Sequence, residues 1–231
     1  MLEAEVSFLP ADEAEGLQRV MSIAEGVLRR VISNALEQNE EDLGYFDKRT
    51  PGLIAQLRSV VDSAPFPRLS YAEAIVALQS ALSTTSFVYK PTYGASLQTE
   101  HEKWLAEEYV KGPVFITDYP SAQKPFYMLP NSTPSDSSNS TSACFDLLIP
   151  RLGELAGGSL REHREKELLD SMRARGISEG DYEWYIELRR YGSTRHGGFG
   201  MGWERLVAFV TGLENVRDCI AFPRAAEGSR F

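Results

Sequence analysis

Between residues 12 and 37, Leu17, Val20, Met21, Ala24, Val27, Leu28, Val31 and Ile32 recur at three- and four-residue steps. That spacing lines one side of an α-helix, so it predicts a long helix facing a core. A second helix fits residues 52–62. A third starts at Ser70-Tyr-Ala-Glu73 and a fourth at Thr99-Glu-His-Glu102, both capping boxes whose side chains can satisfy free N–H groups of a first turn. From 113 to 149 the pattern changes to short β-rich runs, PVFITDYP, KPFYMLP and ACFDLLIP, which predict antiparallel strands. The polar segment NSTPSDSSNSTSA, 131–143, has too few apolar positions to build a core and reads as a flexible, solvated hairpin loop. A charged helix at about 161–174, another near 180–190, and a glycine-rich run entering the helix WERLVAFVTGL complete the chain. No internal repeat is visible. Helices packed on clustered antiparallel strands make the expected fold class α+β, with an antiparallel sheet flanked by helices.

Composition narrows this further. With 231 residues, 42% hydrophobic and 25% charged, the chain can bury a full core as one large domain. No stretch approaches the roughly 20 apolar residues that cross a bilayer. The acidic start MLEAEVSFLPADEAEG has neither a basic signal region nor an arginine-rich transit helix. Cys144 and Cys219 lack disulfide-framework or metal-ligand spacing and read as buried thiols in a reducing compartment. A net charge of −9 argues against broad nucleic-acid binding, so any such function must be carried by a local site.

The sharpest feature is His196-Gly-Gly-Phe-Gly-Met-Gly-Trp-Glu-Arg205, where Gly198, Gly200 and Gly202 alternate with bulky residues ahead of Glu204 and Arg205. Such alternation suits a strand with bare backbone on one face and core side chains on the other. A flat purine fits against the bare face, and Arg205 in the first turn of the next helix would meet a phosphate there. Glycine spacing alone equally describes a turn before an amphipathic helix, and it matches neither a P-loop nor GxGxxG. The second constellation runs from Asp146 through Glu154, Gly157 and Ser159 to Arg161. Two carboxylates on neighbouring strands, Asp146 and Glu154, can share Mg²⁺ with substrate phosphates. Read singly, each is an ordinary surface charge.

The string HGGFGMGWERLVAFVTGLENVRDCIAFPR resembles motif 3 of the class II aminoacyl-tRNA synthetases, and ENVRD followed by FPR resembles their aspartate and asparagine subgroup. GELAGGSLRE resembles the asparaginyl form, with Leu160 where many members carry Gln, a departure found in organellar sequences. The resemblance runs from Met1 to Arg224 and implies a class II catalytic fold, ATP and Mg²⁺ as cofactors, and asparagine and the tRNA acceptor end as partners. It places Glu154, Gly198, Gly200, Gly202, Glu204 and Arg205 on ATP, with Glu154 and Arg205 catalytic, and Asp146 and Glu154 on the metal. It places Arg161, Gly157 and Tyr127 on the amino acid; a buried tyrosine with a satisfied hydroxyl is the competing reading for Tyr127. Arg217 and Arg224 match downstream arginines of the subgroup, a salt bridge being the alternative for Arg217. His101 reads as a cap or core residue and His163 as solvent-facing.

The resemblance further implies that 1–231 is a partial, N-terminally incomplete catalytic domain, running from the end of motif 2 through motif 3. The Arg-x-Glu of motif 2, the dimer-forming motif 1 and an anticodon-reading OB-fold domain would lie upstream of Met1. The expected function is an asparagine-tRNA ligase catalytic segment, mitochondrial by resemblance and otherwise cytoplasmic, that needs the upstream sequence and by itself activates asparagine poorly or not at all. The alternatives are aspartyl specificity, or a truncated synthetase-like protein without ligase activity.

Overall fold

The computed structural model describes residues 1–132 and 140–224. Strand β1 (Leu2–Ser7) leads into α1 (Glu13–Gln38), α2 (Glu40–Arg49) and α3 (Leu53–Asp62). Strand β2 (Arg68–Ser70) runs directly into α4 (Tyr71–Ala81), and α5 (Thr99–Trp104) continues as a π-helical turn, Leu105–Tyr109. Next come β3 (Val114–Thr117), β4 (Cys144–Ile149), β5 (Gly153–Leu160), α6 (Glu165–Ala174), α7 (Glu183–Arg190), β6 (His196–Met201) and α8 (Trp203–Thr211). The six strands form one sheet in the order β1-β6-β5-β4-β3-β2.

Helix α1 forms where its stripe predicts. The Asp12 side chain accepts the Glu15 N–H at its start, and Val20, Ala24, Leu28 and Ile32 are fully buried. Each buried aliphatic side chain of Leu or Ile size contributes about 1.5–3 kcal/mol. Here they pack on the face carrying Phe115, Phe145, Leu147, Ala156, Phe199 and Met201. Arg29 locks α1 to the end of α3: it donates to the carbonyls of Val60, Val61 and Ala64 and pairs with the buried Glu25 at 2.8 Å. A second core covers the opposite face over β3 and β4, where Tyr71, Ile75, Leu78 and Leu105 meet Val114, Ile116, Cys144 and Leu148. Over β5 and β6 the same face is reached by a helix only where α5 meets the start of β5.

Several expectations need correction. The sheet is mixed: β2 pairs parallel with β3, because the chain returns from α4 and α5 by a crossover. KPFYMLP is not a strand; Pro125 and Pro130 lack N–H groups for a ladder, and the segment makes only the isolated bridges Met128–Arg161 and Pro130–Ser142. The cap of α5 is Gln98, one residue before the predicted box, with His101 as its reciprocal partner. The charged helix begins at Glu165, since Arg161 still pairs along the sheet. Of the polar loop 131–143, residues 133–139 lie outside the described residues; its base is tied by Asn131, whose Nδ2 donates to Asp118 and Thr141.

Candidate active site

Register across the sheet decides which side chains meet. On the uncovered face one row reads Glu3, Gly200, Gly157, Asp146 and Ile116, and the next reads Glu5, Gly198, Ser159 and Cys144. The glycines put no side chain of their own into a trough across β5 and β6, over which Glu5 and Met1 reach from β1 and its start. Their neighbours Phe199 and Met201 point the other way into the core. Gly158 also faces that core, where the Phe145 ring lies 2.5 Å from the position of a β-carbon.

Strict alternation would put Glu154 on the face opposite Gly157. A register shift opposite Leu147 and Leu148 leaves Leu155 as an extra residue, so that Leu155 and Ala156 both join the core and Glu154 turns into the trough. Its Oε1 and the Oδ1 of Asp146 then lie 3.0 and 3.3 Å from one point, the place a Gly157 β-carbon would occupy. Glu102 from α5 closes the group by accepting the Glu154 N–H at 3.3 Å. Three carboxylates therefore converge. Burial, with the neighbouring Asp146 and Glu102 adding repulsion, raises the Glu154 carboxyl above its ordinary range. Glu102 is raised for the same reason, burial first.

Two cations answer them. Lys124 Nζ lies 2.8 Å from Asp146 and 3.8 Å over the Tyr119 ring. Burial and the adjacent Asp146 hold the Tyr119 phenol well above its ordinary value. Arg205, third residue of α8, donates from Nη1 to the Glu154 carbonyl. Its other N–H groups make no hydrogen bond among the described residues, and they sit beside the partial positive charge of the α8 N-terminus.

At the other end of the trough, Arg161 donates to Ser159 Oγ at 2.6 Å and to Glu5 Oε1 at 2.7 Å, with its guanidinium 5.4 Å from the centre of the Tyr127 ring. Donor and acceptor are thus held side by side over a small residue and against an aromatic wall.

The structure brings together Asp146, Glu154, Gly157 and Arg205 as one group, and Arg161 with Tyr127 as another. Gly198 and Gly200 form the floor, although Glu5 leans across the first, and Met1 Sδ lies 3.1 Å from the β-carbon position of the second. Gly202 is not in the strand: it caps α8 and donates its N–H to the Leu155 carbonyl. Glu204 lies within electrostatic reach of Cys219 and makes no hydrogen bond to the cluster. Arg217 and Arg224 are exposed. His101 is a buried cap residue, bonded to Gln98 and Tyr89. His163 is half-buried and not solvent-facing as expected, with Nδ1 sealed from solvent, and burial lowers its pKa. Both cysteines are free, and burial pushes the Cys144 thiol up to about 12. Sequence reasoning missed Glu5, Glu102 and Lys124. Only the alternation of Glu3 and Glu5 with apolar residues in β1 signalled a polar face there.

Among the described residues no group of three or more His, Cys, Asp or Glu could hold a metal ion on its own, and no helix is long and apolar enough to cross a membrane. The donor set nonetheless fits one kind of ion. Glu154 and Asp146 offer two hard oxygens at one point, and Mg²⁺ is commonly bound by one or two carboxylates plus substrate phosphates.

The chain is similar over its whole length to known proteins. The chain is 43% identical over 232 residues to the asparagine–tRNA ligase of Clostridium beijerinckii, covering all of this chain and 47% of that one. It is 44% identical to that of Treponema denticola, again over its whole length and 46% of the relative. The chain spans about half the length of the curated relatives it matches. These relatives are bacterial and lend no support to a mitochondrial subtype. Among solved structures, asparaginyl-tRNA synthetase from Pyrococcus horikoshii complexed with asparaginyl-adenylate superposes with a TM-score of 0.80 at 34% identity, over 97% of this chain and 47% of that one. An aspartyl-tRNA synthetase from Leishmania major shares the fold, with a TM-score of 0.77 at 22% identity. The model of the class II tRNA synthetases for aspartate, lysine and asparagine matches residues 1–226, and the chain belongs to that family.

Proposed function

We propose that this chain forms the part of an asparagine–tRNA ligase active site that holds asparagine and the phosphates of ATP. The reading is carried by one observation: a single bare sheet face joins the Arg161–Glu5 pair to the Glu154–Arg205 cluster. A carboxamide presents one acceptor and one donor edge. Arg161 donates to its oxygen and Glu5 accepts from its nitrogen, with Tyr127 closing the pocket. Gly157 and Gly200 leave room for the adenylate along the trough, while Gly198 lies beneath Glu5.

Activation joins the asparagine carboxylate oxygen to the α-phosphorus of ATP, with pyrophosphate leaving. A tRNA 3′-terminal hydroxyl then takes the acyl group, and AMP leaves. Arg205 and the start of α8 offset charge on the triphosphate, and the uncovered face fixes the line of attack. Asp146 and Glu154 would hold Mg²⁺, which supplies further positive charge to the phosphates when bound. Lys124, 2.8 Å from Asp146, holds its carboxylate in place.

Binding of the sulfamoyl adenylates of asparagine and of aspartate, measured by calorimetry, tests the reading. The asparaginyl compound should bind at least about tenfold more tightly, a difference of about 1.4 kcal/mol. Equal affinity, or preference for the aspartyl compound, would overturn it.

A further inference from the structure

Arg151 sits in the β4–β5 turn with φ +70°, a left-handed conformation that costs a residue bearing a β-carbon about 1–2 kcal/mol. Its Nε is buried and has no hydrogen-bond partner. Two unfavourable features at one residue point to a constraint imposed from elsewhere.

The constraint is visible in its contacts. The Arg151 N–H donates to Glu107 Oε1 at 2.5 Å, which pins the turn to the π-helical segment. The guanidinium extends under α8, where Nη2 donates to the Phe209 carbonyl at 2.9 Å and the group lies 5.6 Å from the Phe209 ring centre. That carbonyl is one of the last in α8 and has no partner within the helix, and a cation there complements the helix dipole. Phe209 follows Arg205 by four residues, so both lie on the same side of α8. Arg205 grips the Glu154 carbonyl, three residues beyond Arg151 in the same hairpin.

The N-terminal end of α8 is thus tied to the hairpin by Arg205 and by the Gly202 N–H on the Leu155 carbonyl, and Arg151 ties its other end one turn on. Without Arg151 the hairpin would hold α8 only at the end that carries the side chain offered to phosphate. We infer that Arg151 is a positioning residue: it anchors α8 on the β4–β5 hairpin so that Arg205 keeps its place beside Glu154 while its outer N–H groups stay available to a triphosphate.

This rests on the ATP reading above, and the test separates the two. Arg151→Gly removes the anchor and relieves the left-handed turn, so the variant folds. ATP affinity of the chain, followed by fluorescence of the exposed Trp203, should fall about tenfold while adenosine affinity is unchanged. Arg151→Lys should recover part of the loss. In an Arg205→Ala background Arg151→Gly should have no further effect, because both act through one group. Equal losses for ATP and adenosine, or additive losses, would overturn the inference. If the unmodified chain binds no ATP, the ATP reading fails. Amide exchange in the last turn of α8 then decides for Arg151: faster exchange in Arg151→Gly is expected, and unchanged exchange overturns its anchoring role.

Discussion

Arg161 crosses from the end of β5 to the carboxylate of Glu5 in β1, 156 residues away in sequence, at 2.7 Å. The guanidinium thereby has its counter-charge inside the protein, and on the proposed function this favours a neutral carboxamide over a carboxylate. Glu5→Gln leaves Arg161 unneutralised. It should weaken binding of the asparaginyl sulfamoyl adenylate about tenfold and strengthen that of the aspartyl analogue. Calorimetry with both compounds measures it, and unchanged affinities for both would remove Glu5 from the pocket.

Gly157 and Gly158 are adjacent but face opposite sides of the sheet, so alanine at each should fail differently. At Gly158 the new methyl meets the Phe145 ring at 2.5 Å and the Gly198 carbonyl at 2.7 Å. Overpacking of this kind destabilises by about 1–3 kcal/mol, seen as a lower denaturation midpoint. At Gly157 the methyl enters the space between Glu154 and Asp146. Stability should be nearly unchanged there, while Mg²⁺-dependent ATP binding is lost.

Burial and mutual repulsion raise both Glu102 and Glu154 above the ordinary carboxylate value of 4.5. In the window just above that value the folded chain binds more protons than the unfolded one, so these groups make stability fall as pH rises. Glu162 acts in the opposite sense. Burial pushes its carboxyl up, but hydrogen bonds from Arg164 outweigh that and hold it below 4.5. Its contribution is present above that value and disappears as pH falls through the lowered pKa. Thermal unfolding followed from pH 4.5 upward should therefore decline less steeply for Glu102→Gln than for the unmodified protein. An identical slope would show that the cluster does not couple to folding.

Arg29→Met keeps the apolar stem but strands the buried Glu25 and the carbonyls of Val60, Val61 and Ala64. Removing one member of such a pair costs about 3–5 kcal/mol, and the loss should appear in urea unfolding with an unchanged m-value. Adding Glu25→Gln removes the stranded charge, so the double variant should be more stable than Arg29→Met alone.

What the chain reveals in advance follows from how local each signal is. The α1 stripe, the Ser70–Glu73 capping box and the glycine alternation of β6 are all short-range patterns, and each appears in place. Helix α2 buries only Leu43, so it left no stripe to read. The three-residue β2 is defined by its partner β3, not by its own composition. In the candidate site, family resemblance singles out Asp146, Glu154, Gly157 and Arg205, which the sheet places side by side. The face on which Glu154 lies depends on a one-residue shift against β4, which no alternation rule contains. Glu5, Glu102 and Lys124 reach the trough from three separate segments, and only the register of the sheet brings them there.

The trough over Gly157 and Gly200 is specified by atoms that are missing. Every substitution at these two positions adds atoms, and the first of them, a β-carbon, meets Glu154 and Asp146 or Met1 and Glu3, none of them in the core that keeps the molecule folded. On the proposed function, a chain relieved of its ligand could fill this trough while its helices stayed intact, so an open trough would mark continued use in a way that a well-packed core cannot.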